Sequence, residues 1–254
     1  MMPATLEIFR DHDELAAHAA GLIKTTIMDA IRARGRAVIA LSGGSTWPKT
    51  YALLAQPPMR GQIDWARTFV FVGDERFVPA HDRENNFAMA QRVLLSHVDV
   101  PPAQTFPVPT QLASATAAAD AYASTIEAVF GERDANAPPR FDLVVLGAGV
   151  DGHTAALFPG AASLSVTDRW VVATAPGILP PAVERITMTF PIFNAARAII
   201  FLVTGASKAQ ILHDVLEVRP PRDVCPATGI APVDGALYWL VDEAAASRLS
   251  AKRQ

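Results

Sequence analysis

Asp151 and His153 stand one on each side of Gly152, and their types and spacing carry chemistry. An imidazole titrates near neutral pH, and a neighbouring carboxylate can orient it and steady its cation. The pair therefore has the makings of a general base and its orienting acid. Gly147 and Gly149 come just before it and tolerate tight or left-handed turns. Before them, Phe141 to Leu146 is an apolar, β-branched run bounded by glycine, which predicts a buried strand. Thr154 to Phe158 is expected to start a helix, and Pro159-Gly160 closes the stretch. A strand thus brings an acid and an imidazole to its carboxyl end, the edge at which open parallel sheets bind ligands. Glycine and small residues flank His153 and give it little apolar cover, which argues against a packed core histidine. His12, His18, His81, His97 and His213 lie on polar or helical surfaces and read as structural or solvated. No second histidine sits at ligand spacing, so no metal site is expected.

Three further stretches could hold an anion or polar groups. Ser42 to Thr46, SGGST, joins the apolar run Ala37 to Leu41 to a helical stretch, Lys49 to Leu54. Glycines let backbone N–H groups approach an oxyanion, hydroxyls add donors, and a helix start adds positive potential. Asp74, Glu75 and Arg76 fall where the strand Thr68 to Val72 should end. Lys208 lies at the start of an expected helix, Lys208 to Glu217, that Ser207 can cap; a cation there opposes the helix dipole, which favours a ligand-facing role. Each has a plainer reading: SGGST as an ordinary tight turn, Asp74 with Arg76 as a solvated ion pair, Lys208 as a surface lysine. Arg185, at the start of a strand, says nothing by itself.

The elements that must position these residues alternate along the chain. Strands are expected at Thr5 to Phe9, Ala37 to Leu41, Thr68 to Val72, Phe141 to Leu146, Arg169 to Thr174, Arg185 to Phe190, Ala198 to Val203 and Leu237 to Val241. Helices are expected at Asp13 to Arg34, ended by Gly35; at Asn86 to His97; at Thr116 to Phe130, ended by Gly131; and after Asp242, which caps a last alanine-rich helix. Pro191 opens a short helical turn. Val100 to Pro109, Glu132 to Arg140 and Ala175 to Pro181 read as loops. The alternation predicts an α/β fold with a mainly parallel sheet covered by helices on both faces, Rossmann-like, in a single domain over 1–254.

Composition narrows the function. The chain has 254 residues, half of them hydrophobic, and a net charge of -3 with no long basic run, so nucleic acid is not an expected partner. Its single cysteine, Cys225, cannot form an internal disulfide or a Cys-rich zinc site, which points to a reducing compartment. No apolar run approaches membrane-spanning length, and charges interrupt the N-terminal stretch where a signal peptide needs an apolar core. A cytoplasmic protein with no membrane partner is expected. Two motif matches fail. Gly147 to Gly152 fits G-x-G-x-x-G after a strand, but Asp151 would set a negative charge beside a pyrophosphate, and Asp168 precedes a strand instead of ending one. Gly43 to Thr50 resembles a P-loop except that Pro48, which has no N–H, replaces the glycine before the lysine.

Taken together, LSGGST (Leu41 to Thr46), VGDERFV (Val72 to Val78), LGAGVDGHTAALFPG (Leu146 to Gly160), RITMTFPIFNAA (Arg185 to Ala196) and VTGASKAQIL (Val203 to Leu212) resemble the 6-phosphogluconolactonases, in the family's order and over most of the chain. The resemblance implies the α/β fold shared with glucosamine-6-phosphate deaminases and ribose-5-phosphate isomerases. It implies hydrolysis of 6-phospho-D-glucono-1,5-lactone in the pentose phosphate pathway, an ester hydrolysis needing no cofactor. It also implies roles: His153 as base and Asp151 as its orienting acid, Gly44, Ser45, Arg185 and Lys208 on the 6-phosphate, and Asp74 and Arg76 on sugar hydroxyls or the lactone carbonyl. No candidate for a covalent nucleophile is evident, so water attacks directly. A phosphorylated sugar lactone is the expected partner, and a monomer or weak homodimer the expected assembly. Trp47 between Thr46 and Pro48, and Asn85 in place of a serine, depart from the family pattern. A deaminase-like isomerase is the alternative enzyme, although Phe158 stands where deaminases carry a catalytic glutamate; a non-catalytic sugar-phosphate sensor is the other.

Overall fold

The computed structural model describes residues 4–131, 137–177 and 181–250. Six strands form one parallel sheet: β1 (Thr5–Phe9), β2 (Ala37–Leu41) and β3 (Thr68–Val72), then β5 (Leu143–Leu146), β8 (Ala198–Val203) and β9 (Ala236–Asp242), in the order β1-β9-β8-β5-β2-β3. Every residue of β2, β5 and β8 is buried. That is the signature of strands covered on both faces, and it explains their unbroken apolar composition. Each apolar side chain of Leu or Phe size buried here stabilises by ~1.5–3 kcal/mol. A second, three-stranded antiparallel sheet was not legible: β4 (Asp74–Arg76), β6 (Val171–Thr174) and β7 (Arg185–Met188), in the order β4-β7-β6.

The helices are α1 (His12–Arg34), α2 (Trp47–Leu54), α3 (Asn86–Val93), α4 (Ala115–Phe130), α5 (Phe190–Ala195) and α6 (Ala209–His213). At the start of α1 the Asp11 carboxylate accepts the N–H groups of Asp13 and Glu14; at its end Gly35, at φ 77°, donates to the Ile31 carbonyl. Its apolar stripe, including Leu15, Ala19, Ile23 and Ile27, is buried. α4 packs on β6 and β7. Among the described residues no helix is long and apolar enough to cross a membrane.

Two tyrosines stop the sheet where the loops begin. The Tyr51 hydroxyl donates to the Ser42 carbonyl (2.9 Å) and accepts the Ser42 N–H (3.0 Å). Tyr122 does the same at Val72, donating over 3.0 Å and accepting over 2.9 Å. Burial raises both phenol pKa values, so both hydroxyls keep their protons.

Four expected elements differ. Thr154 to Phe158 forms no helix: the Thr154 hydroxyl donates to the Gly147 carbonyl, Leu157 N–H closes a turn on Thr154, and Ala155 takes φ 50°. Asn86 to His97 breaks at Leu94 into α3 and a 3-10 turn. Lys208 to Glu217 is a 3-10 turn, α6 and a π turn in succession, with no side-chain cap from Ser207; Asp242 accepts the Gly205 N–H just before it. Asp242 also caps the last element, accepting the Ala245 N–H, but that element is a 3-10 turn, Ala245–Arg248. The loops expected at Glu132 to Arg140 and Ala175 to Pro181 lie partly outside the described residues.

Candidate active site

The carboxyl ends of β2, β5 and β8 and the inner edge of the small sheet enclose a cleft of about 390 Å³. Gly44, Ser45, Asp74, Arg76, His153, Arg185 and Lys208 all line it, so the structure brings together seven of the eight candidate residues. Asp151 stands behind His153 and lines a smaller neighbouring cavity of about 230 Å³.

The turn after β5 is held from inside and below. Gly149 donates to the His153 carbonyl (2.8 Å) and Gly152 to the Gly149 carbonyl (3.1 Å). A Cβ on Gly149 would lie 2.1 Å from His153 Nδ1 and 2.5 Å from Asp151 Oδ1, so the dyad occupies the space a side chain would need. Gly152 sits at φ 87°, where an L side chain costs ~1–2 kcal/mol, and its Cβ would meet Cys225 Sγ at 2.8 Å. Beneath it the Ala227 N–H donates to the Gly152 carbonyl at 3.0 Å.

Asp151 Oδ1 lies 2.5 Å from His153 Nδ1 and accepts the His153 backbone N–H at 3.2 Å. A carboxylate only accepts, so Nδ1 carries the hydrogen and Nε2 of the neutral ring is left as the base. Partial burial works to raise the Asp151 pKa, but the hydrogen bonds and charge of His153 outweigh it and hold the carboxyl below its usual range. The imidazole has more apolar cover than its flanking residues suggest: the Phe158 ring lies 5.1 Å away, centroid to centroid.

The loop after β2 presents exposed Gly44, at φ 89°, and exposed Ser45 to the cleft. Trp47 is buried, stacks on Tyr51 at 5.6 Å and begins α2, so the departure from the family pattern is absorbed by the core. Lys49 pairs with Asp13 of α1 and does not line the cleft, which removes the P-loop likeness. His12, read as structural or solvated, touches the loop: its Nε2 is 3.0 Å from the Thr46 carbonyl oxygen.

Register assembles the cations. Arg76 and Arg185 are direct partners across the β4–β7 ladder, two like charges that would destabilise the pair without an anion nearby. Asp74 supplies one. Burial raises its carboxyl pKa against the pull of Arg76, Arg185 and His153. Burial, and then the charge of Arg76, lower the Arg185 pKa. Arg76 donates to the Glu84 carbonyl (2.7 Å) and Arg185 to the Pro181 carbonyl (2.9 Å), while the Nε of each is buried with no hydrogen-bond partner among the described residues. Lys208 Nζ donates to the Ala148 carbonyl at 2.7 Å; burial lowers its pKa, and the Asp151 charge opposes that.

Two residues that touch this corner were missed. Asn86 lines the cleft and donates through Nδ2 to the Asp74 carbonyl (2.9 Å). Glu75 is wholly buried beside it. Neither carries a local sign in the sequence, because the contacts join β4 to α3 across a loop.

The glucosamine-6-phosphate isomerase/6-phosphogluconolactonase family model matches residues 10–239. The 6-phosphogluconolactonase of Synechocystis sp. is 37% identical over 98% of this chain and 99% of its own length, and that of Mycobacterium leprae is 36% identical over the same shares. The solved structure of 6-phosphogluconolactonase from Trypanosoma brucei superposes with a TM-score of 0.87 at 30% identity, over 98% of this chain and all of that one. A monomeric glucosamine-6-phosphate deaminase shares the fold, with a TM-score of 0.80 at 20% identity over 96% of this chain and 99% of that one.

Proposed function

Because the chain belongs to the glucosamine-6-phosphate isomerase/6-phosphogluconolactonase family, we propose that its cleft opens 6-phospho-D-glucono-1,5-lactone by direct attack of water, with His153 as general base. The activity is lactone hydrolysis to 6-phosphogluconate in the pentose phosphate pathway, a carboxylic ester hydrolase reaction. The observation that carries the mechanism is the 2.5 Å contact between Asp151 and His153 Nδ1, which leaves Nε2 as a base on the cleft wall.

In this reading Nε2 takes a proton from water as the oxygen bonds to the lactone carbonyl carbon. Negative charge moves to the carbonyl oxygen, and cations of the cleft stabilise it. The tetrahedral species then collapses, the bond to the ring oxygen breaks, and the imidazolium returns its proton to that oxygen. Asp151 orients the ring and stabilises the transient cation. Gly44, Ser45, Arg185 and Lys208 hold the 6-phosphate through N–H, O–H and charge-assisted donors. Asp74 and Arg76 hold sugar hydroxyls or the carbonyl. Phe158 next to the imidazole has no proton to relay, which favours hydrolysis over a deaminase-type reaction. The whole chain works as one cytoplasmic domain, a monomer or weak homodimer, with no nucleic-acid or membrane partner.

The test is proton release from freshly prepared lactone, followed at constant pH with and without the protein. Acceleration well above spontaneous ring opening is expected; equal rates would refute the reading, and ammonia release from glucosamine 6-phosphate would replace it with the deaminase one.

A further inference from the structure

One buried acid in this corner has no part in the reaction as written. Alternation along β4 turns Asp74 and Arg76 toward the cleft and Glu75 away from it. Glu75 is 0% exposed, and among the described residues no cation pairs with it. Its carboxylate accepts three backbone N–H groups: Arg76 at 2.8 Å and Asn86 at 2.6 Å on Oε1, and Phe87 at 2.9 Å on Oε2. Asn86 and Phe87 open α3, where N–H groups have no partner within the helix. Asn86 then reaches back. Its Nδ2 donates to the Asp74 carbonyl at 2.9 Å and lies 3.4 Å from Asp74 Oδ2. Its amide also fills the space over Gly43, where a Cβ would sit 1.8 Å from Oδ1.

Part of its role is capping: Asn85 takes the Ala88 N–H of α3 at 2.7 Å, and Glu75 takes the two N–H groups before it. An unpaired buried carboxyl is a poor source of stability, and burial pushes this one up to about 7 against the pull of its three N–H partners. Its contacts, however, run to Arg76 by the backbone, and through Asn86 to Asp74 and the loop that presents Gly44 and Ser45.

We propose that Glu75 is a positioning residue for the hydrolysis, acting through Arg76 and Asn86 to hold two walls of the cleft in one rigid corner. The inference rests on the lactonase reading above.

The experiment compares wild type, Glu75→Gln and Glu75→Ala for kcat and KM on the lactone, for 6-phosphogluconate affinity by calorimetry, and for Tm. Glutamine keeps one carbonyl oxygen for Arg76 and Asn86 and loses the Phe87 bond; alanine loses all three. For Glu75→Ala the expected result is a raised KM, kcat/KM down roughly tenfold to a hundredfold, and 6-phosphogluconate affinity down in step. Glu75→Gln should fall between it and wild type. A lowered Tm with KM and product affinity unchanged would mean a purely structural acid and would overturn the proposal. If Glu75→Ala does not fold, Glu75→Gln decides: it loses only the Phe87 bond and leaves every residue of the cleft lining in place, so KM must rise and product affinity fall, and an unmoved KM overturns the idea. Failure of the wild type to open the lactone would instead remove the proposed function, while the affinity series would still test Glu75.

Discussion

The Asp151–His153 dyad and the arginine pair border one cleft, the dyad through His153, and are built in opposite ways. Asp151 and His153 belong to a single turn, and that turn's own glycines make room for them. Arg76 and Arg185 come from distant parts of the chain and meet because β4 and β7 pair in one register. The first device is local and survives as long as its turn does. The second is only as good as a ladder of three residue pairs, which is why the contacts around β4 matter. If that division holds, damage to the dyad should fall on turnover, and damage to the cation side on substrate affinity.

The largest effect is expected at the dyad. His153→Ala should lower kcat about a hundredfold to ten-thousandfold and leave KM nearly unchanged, as read from initial rates of proton release. A KM that rises as steeply as kcat falls would erase the distinction between the two sides. Lys208→Ala should do the reverse, raising KM about tenfold to a hundredfold, in keeping with a lost charge-assisted bond of ~1.5–3 kcal/mol, with a smaller change in kcat.

A double-mutant cycle on Arg76→Lys and Arg185→Lys sharpens the register argument. If both guanidinia share one anionic neighbourhood, their effects on kcat/KM should depart from additivity by ~0.5–3 kcal/mol; simple additivity would show two independent sites. The smallest effect concerns pH. The Asp151 carboxyl is held below its unfolded value of 3.8. Its stabilising contribution is therefore full above that value and is lost as pH falls through the lower native pKa. Asp151→Asn should flatten the acid limb of Tm against pH below about 4, and an unchanged limb would show that the contact adds nothing to the fold.

Legibility in the sequence divides along the same line. Ala37 to Leu41 and Ala198 to Val203 are continuous apolar runs that end in small residues, so both the strands and their loops were legible. The dyad was legible because its two groups and their glycines are neighbours in the chain. The small sheet was not, because Asp-Glu-Arg has no apolar pattern and becomes a strand only by pairing with β7. Glu75 read as one charge among three; that it points inward depends on that pairing. Thr154 to Phe158 misled for a similar reason: its composition suits a helix, but its backbone closes onto Gly147 and itself.

The two tyrosine hydroxyls that close off β2 and β3 have a consequence for evolution and engineering. Each phenol binds both backbone groups of a residue at the rim. Tyr51 belongs to α2 and Tyr122 to α4, so each hydroxyl ties a helix to the carboxyl end of a strand. Phenylalanine at either position would keep the ring and lose both of those hydrogen bonds, so these are two positions to hold fixed when residues of the cleft loops are varied.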